Sequence, residues 1–300
     1  MTRRLTVTLL PLFLLSLSAA HAQEPPAISG FFDLTADRVF SPGNLELDLA
    51  KELGKSGQLS AAVVTDGHTA NLAVGYVDVH LIGELIAPRG RVPAEKGLHV
   101  QIGRFDVPFG NDWQYLASKD RVELSAPLTT DAIMDGGYND TGIRVFGITP
   151  SFHYSAFALR GDRDGRVFGS RLGFKPRRDA HILEVGVSFL RKSASGETIF
   201  AVDSESRAGR CHLRGEYIRD GVSAWQVTAS FDAGKHAGMA VTPFARYDAL
   251  HEEGSRKGRV TAGINAGVLS HVVLKFEYRR AIANPVESRD AFAAQAVFVF

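Results

Sequence analysis

One cysteine, Cys211, stands in a chain of 300 residues, which excludes an internal disulfide framework. Net charge is almost absent too. There are 34 Lys and Arg against 33 Asp and Glu, with no basic run, so no nucleic-acid partner is expected. Behind the first 22 residues no apolar run approaches the ~20 residues that a membrane-crossing helix needs. If this chain enters a bilayer it must do so as strands, because only helices and closed barrels satisfy every backbone group in lipid. Ligand motifs are equally scarce. Gly54-Lys55-Ser56 lacks the upstream glycine of a phosphate loop, and the histidines are scattered without metal-ligand spacing. Asp162-Arg163-Asp164-Gly165 has only part of a calcium-loop pattern and reads as a turn. Neither a cofactor nor a metal is expected.

What is present begins with an export signal. Arg3 and Arg4 precede a short Leu-rich stretch, Leu9 to Leu17, which is too short to span and is interrupted by Pro11. Ala20-His21-Ala22 is a small-x-small cleavage site, so residues 1–22 are expected to leave a mature chain 23–300. Losing two arginines and no acid moves the net charge from +1 to about −1.

The rest of the chain alternates. Val272, Leu274, Phe276 and Tyr278 share one parity, and Val273, Lys275, Glu277 and Arg279 the other. Leu183, Val185, Val187 and Phe189 oppose Glu184, Gly186 and Ser188; Trp225, Val227, Ala229 and Phe231 oppose Gln226, Thr228, Ser230 and Asp232. Successive side chains of a strand point to opposite faces, so an unbroken apolar row against a polar, charged row predicts lipid outside and water inside. We read about sixteen such strands, fourteen being the alternative, as one all-β domain: a single transmembrane antiparallel barrel. The strand over Thr69–Ile82 is irregular, with Asp78 and His80 on the parity of Leu72, Val74 and Tyr76, and a bulge is expected there. Outer-face aromatics fall into two bands: Tyr217, Trp225, Tyr278 and Phe292 at one end, Phe174, Phe231 and Phe300 at the other.

One connection is far longer than the others. Residues 107–140 join the fifth and sixth strands and carry Phe109, Trp113, Tyr115, Leu124, Leu128, Ile133 and Met134, too many apolar groups for a disordered tail. A loop of that composition is expected to fold into the lumen.

Gly103-Arg104-Phe105-Asp106-Val107-Pro108-Phe109-Gly110 opens this loop and resembles the G-[RQK]-F-x-x-P-F-G segment of bacterial outer-membrane porins, the phosphate-selective porin O and P group among them. The Gly-rich turn Asp135-Gly136-Gly137-Tyr138 near its end, and the terminal Phe300 of an alternating strand, are similar to the constriction loop and assembly signal of such porins. The resemblance implies an outer-membrane location in a Gram-negative bacterium and contact with outer-membrane lipid. It also implies insertion by the assembly machinery through Phe300, passive diffusion of small hydrophilic or ionic solutes, and a homotrimer. The chain departs from the phosphate-selective group in lacking a dense Lys and Arg ladder.

Parity assigns pore-lining cations Arg144, Arg171, Lys175, Arg214, Arg246, Lys275 and Arg279, and acids Glu46, Asp48, Glu184, Glu216, Asp232, Asp248 and Glu277; Arg104, at the mouth of the loop, is expected to join the lining. With Arg121 and the loop acids Asp106, Asp112, Asp120, Glu123 and Asp131 opposite wall arginines such as Arg144, these form the expected eyelet, where rings of charge tune permeation. Two other functions remain open. One is a non-conducting structural or adhesive barrel. The other is an outer-membrane phospholipase, for which His153-Tyr154-Ser155 supplies a base and a nucleophile on one strand face; no enzymatic activity is the expectation.

Overall fold

The computed structural model describes residues 25–37, 40–82, 97–134, 136–161, 165–176, 181–283 and 290–300; the expected signal 1–22, residue 135 and the 162–164 turn lie outside the described residues. The strands are β1 (Ala27–Ala36), β2 (Phe40–Glu52), β3 (Gly57–Thr65), β4 (Ala70–Ile82), β5 (Gly97–Asp106) and β6 (Asn139–Ile148). Then come β7 (Phe152–Leu159), β8 (Val167–Phe174), β9 (His181–Lys192), β10 (Thr198–Ala208), β11 (Cys211–Asp220) and β12 (Val222–Phe231). The chain ends with β13 (Gly234–His236), β14 (Met239–Glu252), β15 (Ser255–Leu269), β16 (Val272–Ala283) and β17 (Ala291–Val299). All belong to one sheet, and β13 only lengthens the foot of the β12–β14 hairpin, so sixteen strands make the wall.

Each long strand pairs antiparallel with the next, and β1 returns to β17 from Phe31–Val299 to Ala36–Ala294. The amide of Phe300 donates to the carbonyl of Gly30, and that of Gly30 to the carbonyl of Phe300, at 3.0 and 2.9 Å, so the last residue seals the seam. Closure removes both sheet edges, which would otherwise offer unpaired backbone groups to lipid.

Parity divides the two faces as alternation predicts. Leu183, Val185, Val187, Leu213, Val227, Phe276 and Phe298 are exposed outward, whereas Ser188, Arg214, Gln226, Lys275 and Gln295 are buried inside. An apolar outer surface of that extent belongs in lipid, and the chain is a transmembrane antiparallel β-barrel. Aromatic pairs sit toward both ends of this band: Trp225 with Tyr247 and Tyr278 with Phe292, 5.0 and 4.8 Å between centroids, and Phe152 with Phe174 at 5.2 Å. Val187 lies mid-strand with Leu172 and Val202 as lateral neighbours. Val187→Arg is expected to destabilise the barrel by about 2–4 kcal/mol, read as a lower urea midpoint for refolding into lipid vesicles.

Three features depart from the expected pattern or refine it. In β4 the register slips between Val63–Leu72 and Ala62–Val74. The bulge turns Leu72 outward and sends Val74, Tyr76, Asp78 and His80 inward together, all four buried. Strands β14 and β15 run as far as Glu252 and from Ser255, meeting at a Glu253-Gly254 turn. Their ends carry His251, Glu252, Arg256 and Lys257 without alternation, because a hairpin projecting beyond the lipid band tolerates charge on both faces. The third feature is an apolar core within the barrel, where parity predicted water. Phe105, Val107, Phe109, Phe157, Leu159, Val167, Leu190, Ile199 and Ile218 pack with Ile133, Met134 and Tyr138 of the long loop.

Candidate functional site: a loop clasped across the lumen

The β5–β6 connection leaves the wall at Val107 and folds inward, and two short elements give it shape: a 3-10 turn over Asp112–Tyr115 and a one-turn π-helix over Thr129–Ile133. Among its described residues only Asp131, Ala132 and Gly136 are exposed. A segment with so little regular structure carries many backbone N–H and C=O groups without a ladder partner, and burial makes each of them costly. The charged inner wall supplies the partners.

The first clasp is on β9 and β11. The amide of Gly110 donates to Ser188 Oγ at 3.1 Å and that of Asn111 to Glu216 Oε1 at 2.7 Å. Gly110 has φ +65°, and a Cβ there would collide with Glu216 Oε1, so both the backbone conformation and the space demand glycine. Farther on, Lys275 Nζ donates to the carbonyls of Ser118 and Arg121, both at 2.6 Å. Glu277 Oε2 accepts from the amides of Leu124 and Ser125 at 2.8 and 3.1 Å, and Asp248 Oδ1 from that of Leu128 at 2.8 Å. Arg246 reaches the carbonyl and hydroxyl of Ser125 at 2.8 and 2.9 Å, and Arg259 the carbonyl of Ala126 at 2.6 Å.

Side chains of the loop complete the attachment. Glu123 takes both carboxylate oxygens to Arg214 Nη2 at 2.8 Å and accepts from Thr228 Oγ1 at 2.8 Å; it is 2% exposed and Arg214 3%. Burial pushes the Glu123 carboxyl up, but the guanidiniums of Arg214 and Arg246 prevail and hold it at about 2. Tyr115 donates to Glu205 at 3.0 Å beneath the Arg214 guanidinium, and burial raises its phenol to about 12. Ser118 donates to Asp33 of β1 at 2.5 Å, and Ala117 packs on Phe31 and Val297.

The expected eyelet residues therefore divide. Glu123, Arg214, Arg246 and Lys275 come together at the loop–wall contact, with Glu216, Asp248 and Glu277. Asp112 instead pairs with Arg121 inside the loop at 2.5 Å and accepts from Thr130. Asp120 pairs with Lys119 at 2.8 Å, and Asp131 is exposed. Arg144 lines a small cavity with Asp106, lies over the rings of Phe146 and the loop's Trp113, and donates to Ser155 at 3.0 Å. Asp106 is buried as the last residue of β5. Arg171 belongs to a wall ladder with Asp203, Glu184 and His153. Arg279 stays on the inner parity beside Glu277.

Three assignments are corrected. Arg104 shares the outward parity of Ile102 and turns along the wall to the Ala73 carbonyl and Asn139. Lys175 follows the last residue of β8, its backbone closing the turn with Ser151. Asp232 is exposed at the foot of the β12–β14 hairpin, capping the amide of Gly234 at 2.8 Å. The His-x-Ser pair is not assembled as a catalytic dyad: His153 bonds Glu184 at 3.2 Å and Ser155 bonds Arg144, both on the lumen side.

Asp33, Ser188, Glu205, Thr228 and Arg259 were not anticipated. Their parity signalled an inner position, but nothing local marks which inner residues meet a loop a hundred positions away.

No protein-family model and no curated protein matches this chain. Solved structures do. An in-vitro folded OmpT of Vibrio cholerae, an outer-membrane protein in trimer form, is 11% identical over 92% of this chain and 99% of its own, with a TM-score of 0.62. An anion-selective porin from Comamonas acidovorans is 11% identical over 92% and 99%, with a TM-score of 0.64. Pseudomonas putida OprB at low pH is 10% identical over 92% of each chain, also at 0.64. At such identity the likeness is one of fold, and the chain has the sixteen-stranded antiparallel barrel of outer-membrane proteins.

Proposed function

We propose that this protein is an outer-membrane porin, passing small hydrophilic or ionic solutes by diffusion through a lumen that its β5–β6 loop narrows. The observation that carries the reading is the loop itself, gripped from β9 round to β1 by side chains of the inner wall. Export by residues 1–22, insertion through Phe300 and a trimeric assembly belong to the same reading, the last supported by the trimer form of the Vibrio barrel. Kinship with the phosphate-selective O and P group rests on Gly103–Gly110, which here ends β5 and opens the loop.

The channel is expected to be small and weakly selective, because Arg214, Arg246 and Lys275 are buried against acids or loop carbonyls and no longer present a one-signed field. Purified protein in planar bilayers should give discrete conductance steps, with a reversal potential close to zero under a salt gradient. Absence of steps favours a second reading, a non-conducting barrel with a filled interior, which the near-complete burial of the loop supports.

A further inference from the structure

At the barrel end remote from the long loop, β4 and β5 bring Asp78, His80 and His99 together on the inner face. The register puts His80 directly opposite His99, and Asp78 lies two residues from His80 on the same face. One ligand atom from each of the three lies within 4.8 Å of the others. Asp78 and His99 are 0% exposed and His80 7%.

The hydrogen bonds already made settle which lone pairs are left. His99 Nδ1 lies 2.8 Å from Asp78 Oδ2, and His80 Nε2 lies 2.8 Å from the Lys55 carbonyl in the β2–β3 turn. A neutral imidazole has one N–H. If each ring donates it in these bonds, His99 Nε2 and His80 Nδ1 are bare acceptors, and neither has a partner; nor does Asp78 Oδ1. A ring held by one N–H on a carboxylate or backbone carbonyl, with the other nitrogen bare, is the arrangement found in metal-ligating histidines. The His99 ring is further fixed by stacking on Phe146 at 4.9 Å and 17°.

We propose that His80 Nδ1 and His99 Nε2 bind one divalent transition-metal ion of the zinc type, with water completing its shell and Asp78 as the outer carboxylate that orients the His99 ring, pinning β4 to β5. Two imidazole nitrogens suit Zn²⁺, Co²⁺ or Ni²⁺ and not the oxygen-seeking Ca²⁺ or Mg²⁺. The His80 and His99 ring centroids are 6.0 Å apart, a spacing that admits one ion ~2.0–2.1 Å from a nitrogen of each ring.

The test uses untagged mature protein refolded in detergent micelles and titrated with Co²⁺ alone, then with Zn²⁺ as competitor. One Co²⁺ per chain, with visible absorption bands that zinc abolishes, is expected. His99→Gln and His80→Gln should each weaken binding by about a hundredfold or more, while His236→Gln in the exposed β13 turn leaves it unchanged. Heat-modifiable gel migration confirms that each variant is folded. Lack of saturable binding by the wild type, or equal binding by the folded variants, overturns the site. Should a variant fail to fold, the zinc-edge X-ray absorption spectrum of the wild type decides: two imidazoles in the shell uphold it, and a shell of oxygens alone refutes it.

Discussion

Deleting Leu124–Met134 should raise single-channel conductance severalfold in planar bilayers. The deleted arm contributes the groups that hold the loop to β14, β15 and β16: the Ser125 carbonyl and hydroxyl to Arg246, the Ala126 carbonyl to Arg259, and the Leu124, Ser125 and Leu128 amides to Glu277 and Asp248. Without them the attachment described on that side shrinks to Lys275 of β16, which keeps the Ser118 and Arg121 carbonyls. The wall stays intact, because every strand keeps its two neighbours and none of its ladder bonds runs through the loop. The freed side chains, Arg246, Arg259, Asp248 and Glu277, then face water on the widened side, and reversal potentials should begin to depend on them. A deletion variant that folds and conducts like the wild type would remove the constriction role. One that conducts where the wild type is silent would identify the loop as a plug.

Glu123→Gln is the sharpest single change. Glu123 is held by two wall arginines, at 2.8 Å from Arg214 and 3.9 Å from Arg246, and removing it leaves both cations buried with a lost counter-charge. Breaking one side of a buried pair costs about 3–5 kcal/mol, which exceeds what the remaining hydrogen bonds of that arm can each supply. The loop should detach near residue 123, seen as noisy, enlarged conductance together with a lower urea midpoint. The pH dependence follows from the same carboxyl. Its value in the folded protein, about 2, lies below its ordinary 4.5. Its contribution to loop docking, about 3 kcal/mol, is therefore complete above pH 4.5 and is lost as pH falls toward 2. Conductance should be flat from neutrality to about pH 5 and rise below that, and Glu123→Gln should abolish the acid step. An acid step that persists in the variant would assign it to another group.

The wall was legible because a strand's two faces are written in alternate residues. Leu183, Val185 and Val187 against Glu184, Gly186 and Ser188 needed no knowledge of their neighbours to be sorted. The inner apolar core escaped the same rule for a reason visible in β4 and β10. Val74, Tyr76 and Ile199 face inward as the polar residues do, yet they meet Phe109, Met134 and the other loop side chains where water was expected. The histidine triad escaped for a related reason. Asp78-x-His80 and His99 carry no recognisable spacing in sequence, since a connection and a strand reversal separate them, and only the pairing of β4 with β5 sets His80 against His99.

By itself the sequence determined that the chain is a closed barrel, which side of each strand meets lipid, and where the one unusual loop lies, because each of these depends on the period and length of a local pattern. The tertiary structure alone decided what the inner charges do. Arg214, Arg246, Lys275, Asp248 and Glu277 read as a lining for passing ions, and instead they satisfy a buried loop, because the partner of an inward side chain is chosen across the lumen, by a segment that carries no period of its own.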